Sequence, residues 1–377
     1  MRKIFFISAS IIEYDGRLRE LIEVSKSIGE TYYLTRSNSV TPIDEHHIIF
    51  TSRGPSTYIN FLLFCFKTAR KIGKFDVIWA DNRKALIPSF LIARLRKHPI
   101  LIQDARELYM FGDVRHFIGK IGCLVEIMLN RKFDIIICAN KERAEIMKRY
   151  YHLRMMPLVF ENVRKLEFDG TVDDAAFEER YQMSKDKARW KIISTSGCDL
   201  DRGIEQLVEA VGRLGEEYSL YIFGNSSMKQ EDFIERKIME IEYKNIHIFG
   251  PLKQDELKYA IGMCDIGVVN YHAKDMNNKY CASGKLYEFI FEGVPVITTE
   301  NPSLKALCER FEVGISCNDY QSAIRKLTEE YEYYQGKARE MSKKISVKSN
   351  RAGLKHHVVK ALETIERDRS GKYPEVV

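Results

Sequence analysis

Short apolar runs alternate with longer amphipathic stretches along nearly the whole chain, and this alternation constrains the fold more than any single motif. In the first half the apolar runs are "KIFFISAS", "TYYLT", "FDVIWAD", "PILIQDA" and "FDIIICAN", separated by stretches such as "GRLRELIEVSKSIG", "ALIPSFLIARLRK" and "KERAEIMKRYY". Strands and helices that alternate in this way build βαβ units around a parallel sheet. The polar stretch "FENVRKLEFDGTVDDAAFEERYQMSKDKARW" interrupts the pattern, which then restarts at "WKIISTSG" and runs through "YSLYIFGNS", "IHIFGPL", "DIGVVNY" and "VPVITT". A chain of 377 residues is too long for one ordinary core and suits two. The expected fold class is therefore α/β, with two Rossmann-like doubly wound domains facing a central cleft. Their expected bounds are residues 1–165, a linker 166–188, a second domain 189–345, and a helix in 346–377 that packs back toward the first domain and frays at "SGKYPEVV". Ligands of open α/β sheets bind beyond the carboxyl ends of the strands, which makes the cleft the expected site.

Composition narrows the class further. Hydrophobic content of 45% with 30% charged residues describes a globular protein. No two of the eight cysteines form a Cys-x-x-Cys pair, which argues against a zinc ribbon and a disulfide framework. Arg2, Lys3 and "IFFISASII" imitate a signal peptide, but the run is short and passes straight into "EYDGRLRE", so it reads as a first buried strand. "YINFLLFCF" is broken by Lys67 and Arg70 and is too short to span a bilayer, so a cytoplasmic protein is expected. Net charge is +6, but residues 1–160 carry 26 Lys and Arg against 16 Asp and Glu. A basic half points to an anionic partner, either a membrane surface or a phosphate-bearing acceptor. No basic-aromatic signature of a nucleic-acid module accompanies it.

The most informative segment is "ASGKLYEFIFEGVPVI", residues 282–297. At about 100° per residue Leu286, Phe289 and Ile290 share one stripe, while Lys285, Glu288 and Glu292 share another. A helix is expected, opening just after Ala282, Ser283 and Gly284 and stopped by Gly293 and Pro295, with a buried strand after it. Its free N–H groups make a possible anion site. In isolation its charges read equally as solvated pairs on a surface helix. Four loops end strands of the second domain with Gly or polar residues: "STSGCDLDRG" with Gly197, "YIFGNSS" with Gly224 and Asn225, "IFGPL" with Gly250 and Pro251, and "NYHAKDMNNKYCASGK" with Tyr280. Together they are expected to form a nucleotide and phosphate cradle. Arg202, at the start of the helix near Gly203, either reaches that cradle or is a solvated cation set against the helix dipole.

On these residues the chain resembles the GT-B sugar-nucleotide glycosyltransferases, and within them the retaining family 4. "KLYEFIFEGVPVI" is similar to the family's donor helix, "SGCDLDRGIEQLVEAV" to its phosphate turn, and "IHIFGPLKQDELKYAIGMCDIGVVNY" to its nucleotide-base segment. "YDGRLRELIEVSKSIG", with Asp15, Gly16 and Arg17, is similar to its Asp-x-Arg helix start, and "LIQDARELY", with Asp104, Arg106 and Glu107, to its Asp-x-His-Glu-Leu-Tyr loop. The resemblance implies that Glu288 binds the ribose hydroxyls and that Arg202 neutralises the diphosphate. It also implies a phosphate or sugar contact for Lys285, for which a salt bridge to Glu288 is the alternative; Glu292 has no matched role. The chain departs from the family pattern at Tyr280, where a glutamate is frequent, at Cys198, where an arginine is common, and at Arg106, where a histidine is usual. Arg106 either stabilises developing negative charge or bridges Asp104 and Glu107.

The implied reaction moves a sugar from a nucleotide-sugar, UDP being the family's commonest carrier, to a hydroxyl of a cell-surface or lipid-linked glycan with retention. The leaving diphosphate itself helps deprotonate the acceptor, and neither a cofactor nor a metal is expected. Two other functions share the architecture: a non-hydrolysing sugar-nucleotide epimerase, whose Gly-Thr-Arg-Pro-Glu signature is absent, and a non-catalytic partner subunit. "STYINFLLFCFKTARKIGK", residues 56–74, is either a helix packed on the sheet or a contact for an anionic bilayer, which would place the protein peripherally on the inner face of the cell membrane.

Overall fold

A computed structural model describes residues 1–39, 41–51, 57–166 and 172–370; most of the expected frayed end, 371–377, and the start of the segment 56–74 lie outside the described residues. The chain divides into two compact units, one made of residues 1–161 and 348–377, the other of 162–347.

Unit 1 is built on a parallel sheet of β1 (Arg2–Ile11), β2 (Gly29–Arg36), β3 (His47–Phe50), β4 (Val77–Asp81), β5 (Ile100–Asp104), β6 (Ile135–Cys138) and β7 (Leu158–Val159), in the order β3-β2-β1-β4-β5-β6-β7. Order reverses between β1 and β4, and such a reversal leaves a crevice at the carboxyl ends. The strands are buried on both faces, which is why their sequences are continuous apolar runs. Phe6, Val77 and Trp79 pack toward α1 (Gly16–Ile28) and the C-terminal helix Val347–Ser370, whose Leu354, Val358 and Leu362 join the same core. Alternate residues point to the opposite face. There α3 (Asn82–Arg94) lies on β1, β4 and β5, with α2 (Thr57–Ile72) and α4 (Phe117–Asn130) at its sides. The remaining helix, α5 (Lys141–Tyr150), follows β6 and is capped by Asn140.

Unit 2 opens with α6 (Asp174–Tyr181) inside the stretch read as a linker; its Phe177 and Tyr181 are core residues. The sheet that follows is parallel, in the order β10-β9-β8-β11-β12-β13, with β8 (Trp190–Ser194), β9 (Tyr218–Phe223), β10 (Ile246–Phe249), β11 (Ile266–Val269), β12 (Val296–Thr298) and β13 (Gly314–Ser316). Between and around these strands lie α7 (Ile204–Leu214), α8 (Met228–Glu240), α9 (Gln254–Gly262), α10 (Met276–Lys279) and α11 (Gly284–Phe291). Strand alternation separates two cores: Ile192, Leu220 and Ile222 meet α7, while Ile193, Tyr221 and Phe223 meet α6 and α11. Order reverses between β8 and β11, so the loops after these two strands, which carry Gly197 and Tyr280, border the crevice of this sheet.

Candidate functional site

The helix expected from "GKLYEFIF" forms as α11, and Leu286, Phe289 and Ile290 are buried as its apolar back. Gly293 ends it at φ +70°, a conformation that favours glycine. The charged front does not face water. Glu288 is only 4% exposed, and one carboxylate oxygen accepts from Arg164 Nε at 2.9 Å. Lys285 makes no salt bridge with Glu288; its ammonium donates to the Thr195 carbonyl at 2.7 Å and to Ser196 Oγ at 3.1 Å. Glu292 lies just past the helix and faces Lys258 at 3.9 Å. Ser283 precedes the helix as its N-cap residue, but its side chain makes no capping bond and its buried Oγ has no partner.

Lys285 is joined to the switch point through Ser196, whose hydroxyl donates to Asn270 Oδ1 at 2.8 Å and so ties the loop after β8 to the loop after β11. Burial, followed by the nearby Arg202 guanidinium, lowers the Lys285 ammonium to about 7, against the opposing pull of Glu288 and Asp199. Burial also raises the Glu288 carboxyl, opposed by Arg164 and Lys285. A lysine held near neutrality beside a buried carboxylate is suited to receiving a polyanion, whose charge restores the ammonium.

Arg202 ends a short 3-10 turn before α7; its Nε pairs with Asp199 at 3.1 Å and its guanidinium lies 4.5 Å from the Tyr271 ring centroid. Gly197 has φ +62°, and a Cβ there would come within 2.5 Å of the Asn225 carbonyl. A Cβ on Gly224 would come within 2.6 Å of the Gly197 nitrogen. The two loops are therefore stacked backbone on backbone, and Ser226 Oγ accepts from the Cys198 N–H across the same contact. Cys198 is buried there and offers no cation. Gly250 and Pro251 are exposed beyond the edge strand β10, with nothing within 4 Å of a Gly250 Cβ. Tyr280 ends α10, with the Lys279 ammonium 5.7 Å from its ring centroid.

Thus Lys285, Glu288, Arg202, Gly197 and Gly224 come together around the loops after β8 and β9, and Gly250 and Pro251 follow Phe249, the register partner of Phe223, at the end of the neighbouring strand β10. Sequence reasoning missed Arg164, Ser196 and Asn162, whose amide donates to the Ala282 carbonyl at 3.3 Å. Arg164 falls within the bounds expected for the first domain, 1–165, whereas the structure assigns it to unit 2, and no local spacing marks it as the partner of Glu288.

In unit 1 the expected acceptor residues form an ion network at the carboxyl ends of β1, β4 and β5. Asp15 caps α1 through the Leu18 N–H at 2.9 Å and also pairs with Arg106. Gly16 is the first residue of α1. Arg17 grips Asp104 with two bonds, 2.9 and 2.6 Å, and donates to the Phe160 carbonyl at 2.8 Å. Arg106 Nε bonds Asp81 at 2.7 Å and lies 3.4 Å from Asp104, so the expected bridge to Asp104 forms. Glu107 is not among its partners: the other positions are taken by Asp81 and Asp15. The guanidinium is already faced by three carboxylates. Burial pushes the Asp81 carboxyl up against the pull of Arg106, and Ser8 Oγ donates to it at 2.6 Å. Among the described residues no group of three or more His, Cys, Asp and Glu is arranged to hold a metal.

Two parallel Rossmann-like α/β units, each with polar groups gathered at the carboxyl ends of its strands, define the GT-B class of fold. No family model and no curated protein sequence matches the chain. Solved structures do. HepE of Anabaena in complex with UDP matches with a TM-score of 0.64 at 15% identity, over 99% of this chain and 100% of that one. WaaG, a glycosyltransferase involved in lipopolysaccharide biosynthesis, matches with a TM-score of 0.65 at 12% identity, over 93% and 98%. The trehalose-6-phosphate protein of E. coli bound with UDP-2-fluoro glucose matches with a TM-score of 0.67 at 9% identity, over 96% and 99%. Likeness at these identities establishes the fold.

Proposed function

We propose that the chain is a retaining, metal-independent glycosyltransferase that moves a sugar from a UDP-sugar to a hydroxyl of a cell-surface or lipid-linked glycan. The observation that carries this reading is the buried Glu288 carboxylate beside the Lys285 amine at the switch point of the second sheet. A carboxylate accepts from two vicinal ribose hydroxyls at once. Lys285 and Arg202 are the cations for the diphosphate, whose negative charge grows as the glycosidic C–O bond breaks. The acceptor oxygen forms the new bond to the same face of the anomeric carbon, and its proton passes to a leaving phosphate oxygen, so no side-chain nucleophile is required. Unit 1 takes the acceptor at the carboxyl ends of β1, β4 and β5. Support comes from the fold shared with HepE bound to UDP and with the E. coli protein bound to UDP-2-fluoro glucose, and WaaG supports the glycan side.

A thermal-shift screen of UDP-, GDP-, dTDP- and ADP-sugars tests the donor assignment. A UDP-sugar at a hundredfold excess over its Kd should stabilise the protein by about 2.7 kcal/mol. Absence of any shift with UDP-sugars overturns the assignment, and loss of transfer in EDTA overturns metal independence. Nucleotide binding without transfer would instead support a partner subunit, a reading favoured by one observation, the enclosure of Arg106 by carboxylates.

Lys285 gives a pH signature. With an amine near 7 in the free protein, a fraction is neutral at and above neutral pH, and a bound diphosphate raises the amine's pKa. UDP binding should therefore take up protons above pH 7 and weaken as pH rises. Calorimetry in buffers of different ionisation enthalpy measures this, and Lys285→Met should abolish the proton uptake.

A further inference from the structure

The layer of α2, α3 and α4 presents an outer surface with an unusual arrangement. A surface helix ordinarily turns its apolar stripe inward and its polar face to water. In α4 the order is reversed: its buried residues are Cys123, Glu126 and Asn130, and Glu126 meets Arg83 at 2.5 Å. Phe117, Ile121, Leu124 and Met128 lie outward, within about 60° of one another at helical spacing, with Ile118 beside them. Phe117 is 77% and Ile118 82% exposed. On α2, Ile59 and Leu63 are exposed one turn apart, and beyond them α2 exposes Lys67, Arg70 and Lys71. Single exposed apolar residues are ordinary, but a contiguous stripe marks a surface that meets something else.

Charge says what that partner is. The three helices carry seven Lys and Arg, and their single acid is the buried, paired Glu126. Exposed Arg131 and Lys132 follow α4 directly. A two-fold dimer would set this face against its own copy, cation against cation. Among the described residues no helix is long and apolar enough to cross a membrane. A 14-residue helix with an apolar stripe bordered by cations is instead suited to lying flat at a lipid–water boundary.

We propose that this face of unit 1 docks on an anionic lipid bilayer, with the α4 stripe seated between headgroups and acyl chains and the surrounding cations meeting lipid phosphates. The proposal deepens the lipid-linked acceptor reading above by assigning the surface that reaches the membrane. The test uses the full chain and two kinds of vesicle, phosphatidylglycerol–phosphatidylcholine and pure phosphatidylcholine. Co-sedimentation should occur with the mixed vesicles, weaken with added salt, and fall at least about tenfold in Phe117→Ser/Ile118→Ser, which removes exposed apolar contacts. That variant should melt at the wild-type temperature, because neither side chain belongs to the core. Equal binding to both vesicles, no binding to either, or wild-type binding by the double variant overturns the proposal. So does a solution dimer that the same substitutions dissociate. UDP binding, read separately, reports on the donor site: vesicle docking without nucleotide binding would sink the transferase reading and leave this one standing.

Discussion

Glu288→Ala should lower UDP-sugar use by at least about a hundredfold, the loss expected when a charged acceptor of two hydroxyl bonds is removed. Folding should be nearly unaffected. The carboxylate is buried and burial raises its pKa, so its ionised form is held in place at some cost. Its partner is Arg164, whose side chain is 41% exposed and turns to water when the pair is broken. The stability change should therefore stay near that of a surface pair, about 1 kcal/mol or less, rather than that of a stranded buried charge. Calorimetric UDP binding and a transfer assay read the first effect, and urea unfolding reads the second. Glu288→Gln keeps an acceptor oxygen without the charge and should fall between wild type and Ala. Transfer unchanged in Glu288→Ala would remove this residue from the donor site.

Glu288 also shows where the sequence was informative and where it was not. The helix, its apolar back and its stop were legible because spacing and Gly293 act locally. Periodicity separates two faces of a helix but does not reveal what covers the second. Arg164 and the Thr195 carbonyl, which cover this one, come from distant parts of the chain, and Arg164 sits just before the expected linker, within the bounds read as the first domain. The polarity of that linker hid α6, whose Phe177 and Tyr181 suffice to anchor one helix. Both parallel sheets followed from the alternation of apolar runs, but the short strands β3, β7 and β13 carried too few residues to stand out. The sequence offers residues 56–74 as the candidate apolar surface, whereas α4 exposes the longer apolar stripe. A stripe of Phe, Ile, Leu and Met at helical spacing looks the same whether it faces a sheet or a solvent boundary, and only the burial of Glu126 and Asn130 on the other side decides it.

Arg106→Met should destabilise unit 1 by about 3–5 kcal/mol, the range for removing one partner from a buried ion network. Three carboxylates, Asp15, Asp81 and Asp104, converge on this guanidinium, and the side chains of Asp81 and Asp104 are fully buried. Arg17 remains, but its two strong bonds are to Asp104 alone, so Asp81 and Asp15 lose their cation. The pH dependence has a definite sign. A carboxyl whose pKa is raised on folding stabilises the fold while protonated, and that contribution is lost as pH rises through its folded value. Asp81 is already raised in the wild type by burial, and Arg106→Met removes the guanidinium that opposes that rise. The deficit should be largest at neutral pH and shrink toward pH 4 and below, near the ordinary value of about 3.9 for an aspartate. Arg106→Met/Asp81→Asn should recover part of the loss by removing the most buried stranded charge. Urea unfolding across that pH range measures all three effects. Wild-type stability in Arg106→Met together with abolished sugar transfer would show the opposite, that Arg106 serves the reaction directly, as its place in the Asp-x-His-Glu-Leu-Tyr-like loop implies.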